Sequence, residues 1–408
     1  MFVRLTRQMK LAPLAVLLAL ALLVPGVGAQ GSAATRGSDA GQGSDHAQAP
    51  VIPAPERPVA GQYIVVLKAG SDPRSVAAVA GVTARYTYTA ALNGFAATLN
   101  PGQLTALQQN PNVSYIEQDA EVSLETTQSG ATWGIDRIDQ RARPISGTYT
   151  YASTGAGVTA YIIDTGIRLS HSEFAGRATS GFDAVDGGSA DDCNGHGTHV
   201  AGTVGGSTYG VAKGVSLVAV RVLDCSGSGT TSGVIAGIDW VTGDHQGSTP
   251  AVANMSLGGG ASSSLDQAVR NSITDGVSYA IAAGNGNRVG IAQDACKTSP
   301  ARVTEAMTIG ATDKTDKKTS WSNYGTCVDW FAPGLSITSS WNTSDTATNT
   351  ISGTSMATPH TAGVAALYLQ IDPGANPATV RDALFAKTTK GAVASAKSTN
   401  NHLLFTDY

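Results

Sequence analysis

Large apolar side chains are spread unevenly along this chain, and their spacing divides it into stretches of different kinds. Arg4, Arg7 and Lys10 precede an apolar run over residues 11–24, followed by the small residues Val27, Gly28 and Ala29. That order predicts a secretory signal over residues 1–29. The run is shorter than the roughly 18 apolar residues a membrane-crossing helix needs, and Pro13 interrupts it. Residues 30–60 are then dominated by Gly, Ser, Ala, Gln and Pro. With so little apolar surface to offset the entropy of ordering, they are expected to form a flexible linker. Strand-like alternation resumes at 63–67, 93–99 and 113–117, with a helix over 75–79 and another opened by Asn100 and Pro101. Residues 61–125 therefore read as a small α+β unit. From about 126 to 408, buried-strand runs (158–163, 217–223, 251–256, 277–283, 306–309) alternate with helical segments (196–204, 232–241, 265–275, 355–369). This is the pattern of an α/β, doubly wound, mostly parallel sheet covered on both faces. Sheets of this kind carry their sites beyond the carboxyl ends of the strands.

Composition supports this division. A length of 408 residues suits two or three units, and 42% hydrophobic against 14% charged residues describes a folded soluble protein with a large core. The 48 glycines then imply many tight turns rather than disorder. A formal net charge of -4 argues for neither nucleic acid nor membrane as a partner. In an exported chain the four cysteines read as two disulfides, for which sequence permits three pairings.

Three segments carry candidate chemistry. Residues 158–166 form an apolar run ending in Asp164-Thr-Gly, which sets a carboxylate at a strand's carboxyl edge. Alone, Asp164 is an ordinary turn residue. Asn194-Gly-His196-Gly-Thr-His199 opens a helix, where a neutral imidazole can accept a proton and return it. His196 and His199, three apart, also invite a metal reading, but no glutamate lies between them and no third ligand is apparent, so His199 reads as scaffold. Gly353-Thr-Ser355-Met-Ala runs into an apolar helix, so Ser355 sits where free N–H groups point at a developing oxyanion. Alone it is an N-cap serine. The G-x-S-x-G elbow of lipases is absent around Ser355.

Together these three blocks, in the order Asp, His, Ser, resemble the signature of the subtilases. The resemblance extends from Trp133 to Leu404 and is closest to the proteinase K and aqualysin branch, with further matching blocks at Tyr209-Gly-Val-Ala, Asn254-Met-Ser-Leu-Gly-Gly and Ser320-Trp-Ser-Asn-Tyr-Gly. It implies a secreted serine endopeptidase with Ser355 as nucleophile, His196 as general base and then acid, and Asp164 orienting the imidazole. It further implies that the Asn285 amide and the Ser355 N–H form an oxyanion hole. Ser226, Gly227, Ser228 and Gly229, with Ser256, Leu257, Gly258 and Gly259, would pair with an extended peptide. Ala282, Ala283 and Gly284 would line a roomy, uncharged specificity pocket of broad preference.

The unit at 61–125 resembles the subtilase propeptide, of ferredoxin-like fold. The resemblance implies a zymogen whose own propeptide occupies the cleft, with maturation near Glu125-Thr126. It pairs Cys193 with Cys225 and Cys296 with Cys327, although residues 287–294 are longer here than in the branch. Structural calcium is implied at Asp329 with the carbonyls of Thr304 and Ala306, and at Asp136, Asp139 and Gln140, where a branch acid is replaced by Ala142. Read without the resemblance, that trio is a solvated helix face among Arg137 and Arg141. A monomer acting on polypeptides is expected. A catalytically silent peptide binder is the contrasting expectation.

Overall fold

The computed structural model describes residues 48–54, 58–120, 126–245, 247 and 249–408. The signal reading at 1–29, most of the linker and Glu125 lie outside the described residues. Two compact units are present, one ending at Gln118 and one formed by Asp119 to the C-terminus together with Ala54–Ala60.

The smaller unit follows the order βαββαβ. Strands Pro58–Leu67, Tyr86–Tyr88, Gly94–Thr98 and Val113–Ala120 alternate with helices Pro73–Val79 and Pro101–Gln108. Asn100 and Gln103 close a reciprocal capping box, and Pro101 occupies the first turn, where its missing N–H costs nothing. Val65, Leu67, Phe95, Leu107 and Ile116 fill the core. The linker expectation fails at its far end. Val51–Ile52 pairs in parallel with Ile116 and Glu117, and Ala49 is buried, because an exposed sheet edge accepts even a two-residue strand.

In the larger unit seven strands form a single sheet in the order Trp330–Pro333, Met307–Thr312, Ser278–Ala282, Ala251–Met255, Thr159–Asp164, Ser216–Arg221, Ala178–Asp183. Every pairing in it is parallel. The short strands Ala178–Asp183 and Trp330–Pro333 were not expected from the pattern. Side chains alternate between two cores. Ala160 and Ile162 join one, beneath helices His196–Gly205 and Thr354–Ile371, while Tyr161 and Ile163 join the other, beneath helices Thr231–Asp244 and Ser263–Asp275. After Thr159–Asp164 the chain lays down the edge strand Ala178–Asp183, fills the gap with Ser216–Arg221, and only then places Ala251–Met255 on the other side. The carboxyl ends of these two neighbours thus form the point where strand order reverses, and a cleft opens there.

Disulfides join Cys193 to Cys225 and Cys296 to Cys327, closing sequence separations of 32 and 31. In the chain-entropy account each contributes about 3–4 kcal/mol.

Candidate active site

Asp164 is the last residue of its strand and is fully buried. Its Oδ1 accepts the Thr165 N–H at 2.8 Å and the His196 Nδ1–H at 2.7 Å. The second bond fixes the imidazole tautomer, leaving Nε2 with its lone pair. His196 begins its helix, and that helix can approach the strand end only because residue 197 is glycine. A β-carbon there would lie 2.1 Å from the Gly166 carbonyl oxygen. Burial lowers the His196 pKa, but the charge and hydrogen bond of Asp164, with the charge of Asp192, outweigh it and leave the value raised.

His199 is fully buried and donates Nε2–H to the Ile337 carbonyl at 3.0 Å. Burial pushes its pKa down to about 4, so it remains a neutral scaffold residue. No group of three or more His, Cys, Asp or Glu suited to a metal exists among the described residues.

Ser355 lies in the first turn of the helix Thr354–Ile371. Its Oγ donates to the Ser256 carbonyl at 3.1 Å, and Ser256 Oγ donates to the Ser355 carbonyl at 2.8 Å. Asn285 accepts the Thr354 N–H and hydroxyl through Oδ1, at 2.8 and 2.9 Å. That locks its amide orientation and frees Nδ2 as a donor. A β-carbon on Gly353 would lie 3.4 Å from Asn285 Nδ2 and 3.5 Å from the Ser355 nitrogen, so the two nitrogens border one small space.

Two cavities share the wall 256–260. One, of about 530 Å³, is lined by His196, Asn194 and residues 226–231. The other, of about 460 Å³, is lined by Asn285, Ser355, Ala282 and Gly284, with Gln293, Thr298, Ala301 and Asn323. Asp224 Oδ1 holds the loop of the first by accepting from the Ser226 and Ser228 N–H groups. Ala283 departs from expectation. Strand alternation turns its side chain into the core, while its N–H donates to the Ile309 carbonyl at 3.0 Å and its carbonyl accepts from Asn323 Nδ2 at 2.8 Å. The same Asn323 accepts the Gly286 and Gln293 N–H groups, so it braces the pocket rim. It stands in the block at 320–325, but its spacing gave no sign of this role.

The calcium ligands divide. Asp139 Oδ2 accepts the Thr150 N–H at 2.7 Å, while its buried Oδ1 has no partner. Burial, together with the Asp136 charge and against the Thr150 hydrogen bond, moves Asp139 up to about 6. Gln140 turns its amide nitrogen to the Ala142 and Pro144 carbonyls, which leaves its oxygen available. A buried, unpartnered carboxylate oxygen fits a hard cation. Asp136 is a loop clamp, accepting from Ser146 and Gly147, and both it and Arg137 are buried, so the solvated-face reading fails. At Asp329 the residues do not fit. Its oxygens are taken by Arg381 Nη2 at 2.9 Å and the Thr308 N–H at 2.8 Å, so a guanidinium already supplies the positive charge that a cation held with the Thr304 and Ala306 carbonyls would bring.

A model of the subtilase family matches residues 155–403, and one of the peptidase inhibitor I9 family matches residues 62–125. The chain is 55% identical over 384 residues to an extracellular serine proteinase of Thermus sp. (strain Rt41A), covering 88% of this chain and 92% of that one. It is 49% identical over 369 residues to alkaline serine exoprotease A of Vibrio alginolyticus, covering 85% and 67%. A crystal structure of a cold-adapted subtilisin-like serine proteinase superposes with a TM-score of 0.65 at 55% identity, over 68% of this chain and 98% of that one. No helix among the described residues is long and apolar enough to cross a membrane. This chain belongs to the subtilase family of serine proteinases and carries an inhibitor I9 propeptide domain ahead of its catalytic domain.

Proposed function

We propose that this chain is a secreted endopeptidase, made as a self-processing precursor, in which Ser355, His196 and Asp164 form the catalytic triad. The observation that carries this reading is the 2.7 Å bond from His196 Nδ1 to Asp164, which leaves Nε2 free to accept a proton, with His196 and Ser355 lining two cavities that share the wall 256–260. With substrate bound, Ser355 Oγ turns from the Ser256 carbonyl to His196 Nε2, gives up its proton there and attacks the scissile carbonyl. The oxyanion is met by the Ser355 N–H and Asn285 Nδ2. His196 then protonates the leaving amine, and water repeats the cycle on the acyl-enzyme. An extended peptide runs between 226–229 and 256–259, with its specificity side chain against Ala282 and Gly284. Asp139 and Gln140 would hold a calcium ion, which when bound supplies positive charge beside the otherwise unpartnered Oδ1 of Asp139. Residues 1–29 serve as the export signal, and 61–125 act as the removable inhibitor.

The test has two arms. A fluorophosphonate probe should label Ser355 in the mature enzyme. Ser355→Ala should accumulate as an unprocessed precursor. Absence of labelling on Ser355, or normal self-processing by the variant, would sink the reading.

A further inference from the structure

Behind the Asp164–His196 pair lies a second buried carboxylate with no place in the chemistry just described. Asp192 lies in the loop four residues before His196 and is 9% exposed. Its Oδ1 accepts the Thr165 hydroxyl and the Asn194 and Gly195 N–H groups, each at 2.9 Å. Its Oδ2 accepts the Thr198 N–H at 2.9 Å and the Thr198 hydroxyl at 2.5 Å. Thr165 Oγ in turn accepts the Gly197 N–H at 2.9 Å. One carboxylate therefore ties the residue after Asp164 to the residues on both sides of His196.

We infer that Asp192 is a positioning residue for catalysis, which through Thr165 holds Asp164 and His196 at their working separation. The inference rests on the triad reading and extends it to a fourth ionisable group. Two physical effects act together. Free N–H groups at the start of a helix favour an anion, so the Asp192 charge fastens the first turn of the His196 helix in place. The same charge adds to that of Asp164 in favouring the imidazolium that forms as Ser355 loses its proton. Of the other ionisable groups nearby, His199, one turn along the same helix, and His360, on the Ser355 helix, are each held down to about 4 by burial. Arg221, with Nη2 3.4 Å from Cys193 Sγ, is paired with Asp183 and Asp186, and Asp191 is exposed and accepts from Ser189. Arg168 engages its guanidinium with Asp345 and the Asn342 carbonyl.

The experiment compares mature parent, Asp192→Asn, Thr165→Val and Thr165→Ser, with active sites counted by fluorophosphonate titration and precursors matured by added wild-type enzyme where needed. Asp192→Asn should lower kcat on the order of 10–100-fold with KM little changed, the scale of a small misplacement of reacting groups. Its acid limb in kcat/KM should move to lower pH, because a negative charge has left the neighbourhood of His196. Thr165→Val should lower kcat in the same way, and Thr165→Ser, which restores the hydroxyl, should recover most of the loss. If a folded Asp192→Asn enzyme keeps kcat within twofold and an unmoved acid limb, the inference is overturned while the triad stands. If Asp192→Asn fails to fold, Thr165→Val decides: kcat at the parent's level overturns the inference. If the parent itself takes no label on Ser355, both readings fall.

Discussion

Asn285 makes its contribution through one nitrogen, and its neighbours determine where that nitrogen points. Because Thr354 donates twice to Oδ1, the amide cannot flip without losing both bonds, so Nδ2 is held beside the Ser355 nitrogen. Asn285→Ala should therefore lower kcat about 10²–10³-fold with little change in KM, the magnitude known for loss of such a donor in subtilisin itself. Steady-state kinetics on a peptide anilide would check it, and a decrease of less than fivefold would remove Asn285 from the oxyanion hole. At this scale the sequence was legible only through blocks. Asp164, His196 and Ser355 each pass singly for a turn acid, a helix-start histidine and an N-cap. Asn323 and Asp192 escaped notice because their meaning lies in partners far along the chain, such as Ala283 and Thr165, and no local period marks a hydrogen bond of that span. Ala283 was misread for a related reason: the family resemblance names a wall, while the pleat decides which face each side chain joins.

The two helices that bring His196 and Ser355 to the cleft pack against each other, and small residues set how closely the segments around them approach. A β-carbon on Gly363 would fall 2.5 Å from Val211 Cβ, an atom fixed to backbone that cannot swing away. Gly363→Ala should thus force the helix Thr354–Ile371 off the segment that follows the His196 helix. A destabilisation of about 1–3 kcal/mol is expected, the usual cost of overpacking. Calorimetry on enzyme inactivated at Ser355, which prevents autolysis, would measure it, and an unchanged or higher Tm would contradict the packing argument. The helices and long central strands were legible because they are strongly periodic and bounded by caps such as Ser262 and Gly276. Trp330–Pro333 was not, since four residues are too few for a period to register, nor was Ala178–Asp183, an edge strand whose residues, ATSGFD, form no apolar run.

At the scale of the whole molecule, the division into a small α+β unit and a larger parallel-sheet unit was legible in the spacing of apolar runs, while ion dependence was not. Calcium ligands read from resemblance are only oxygen-bearing residues at matching positions. Whether they hold a cation depends on what else reaches them. Asp139 has a buried oxygen with no protein partner, whereas Asp329 is already joined to Arg381. Removing a ligand that binds only the folded form lowers stability by RT ln(1 + [L]/Kd), about 2.7 kcal/mol at a hundredfold excess over Kd. Excess chelator should accordingly lower the Tm of the mature enzyme, and Asp139→Asn should abolish most of that sensitivity, because the charge that would hold the cation is gone. Arg381→Ala behaves differently. It leaves Asp329 buried without its counter-charge, so the Tm should fall with calcium present, and added calcium should now recover part of the loss as the cation takes the place of the guanidinium. Melting curves of parent and both variants, with and without chelator, separate the two sites. A parent whose Tm is indifferent to chelator would remove calcium from Asp139, and an Arg381→Ala enzyme that melts like the parent would show that Asp329 never needed the guanidinium.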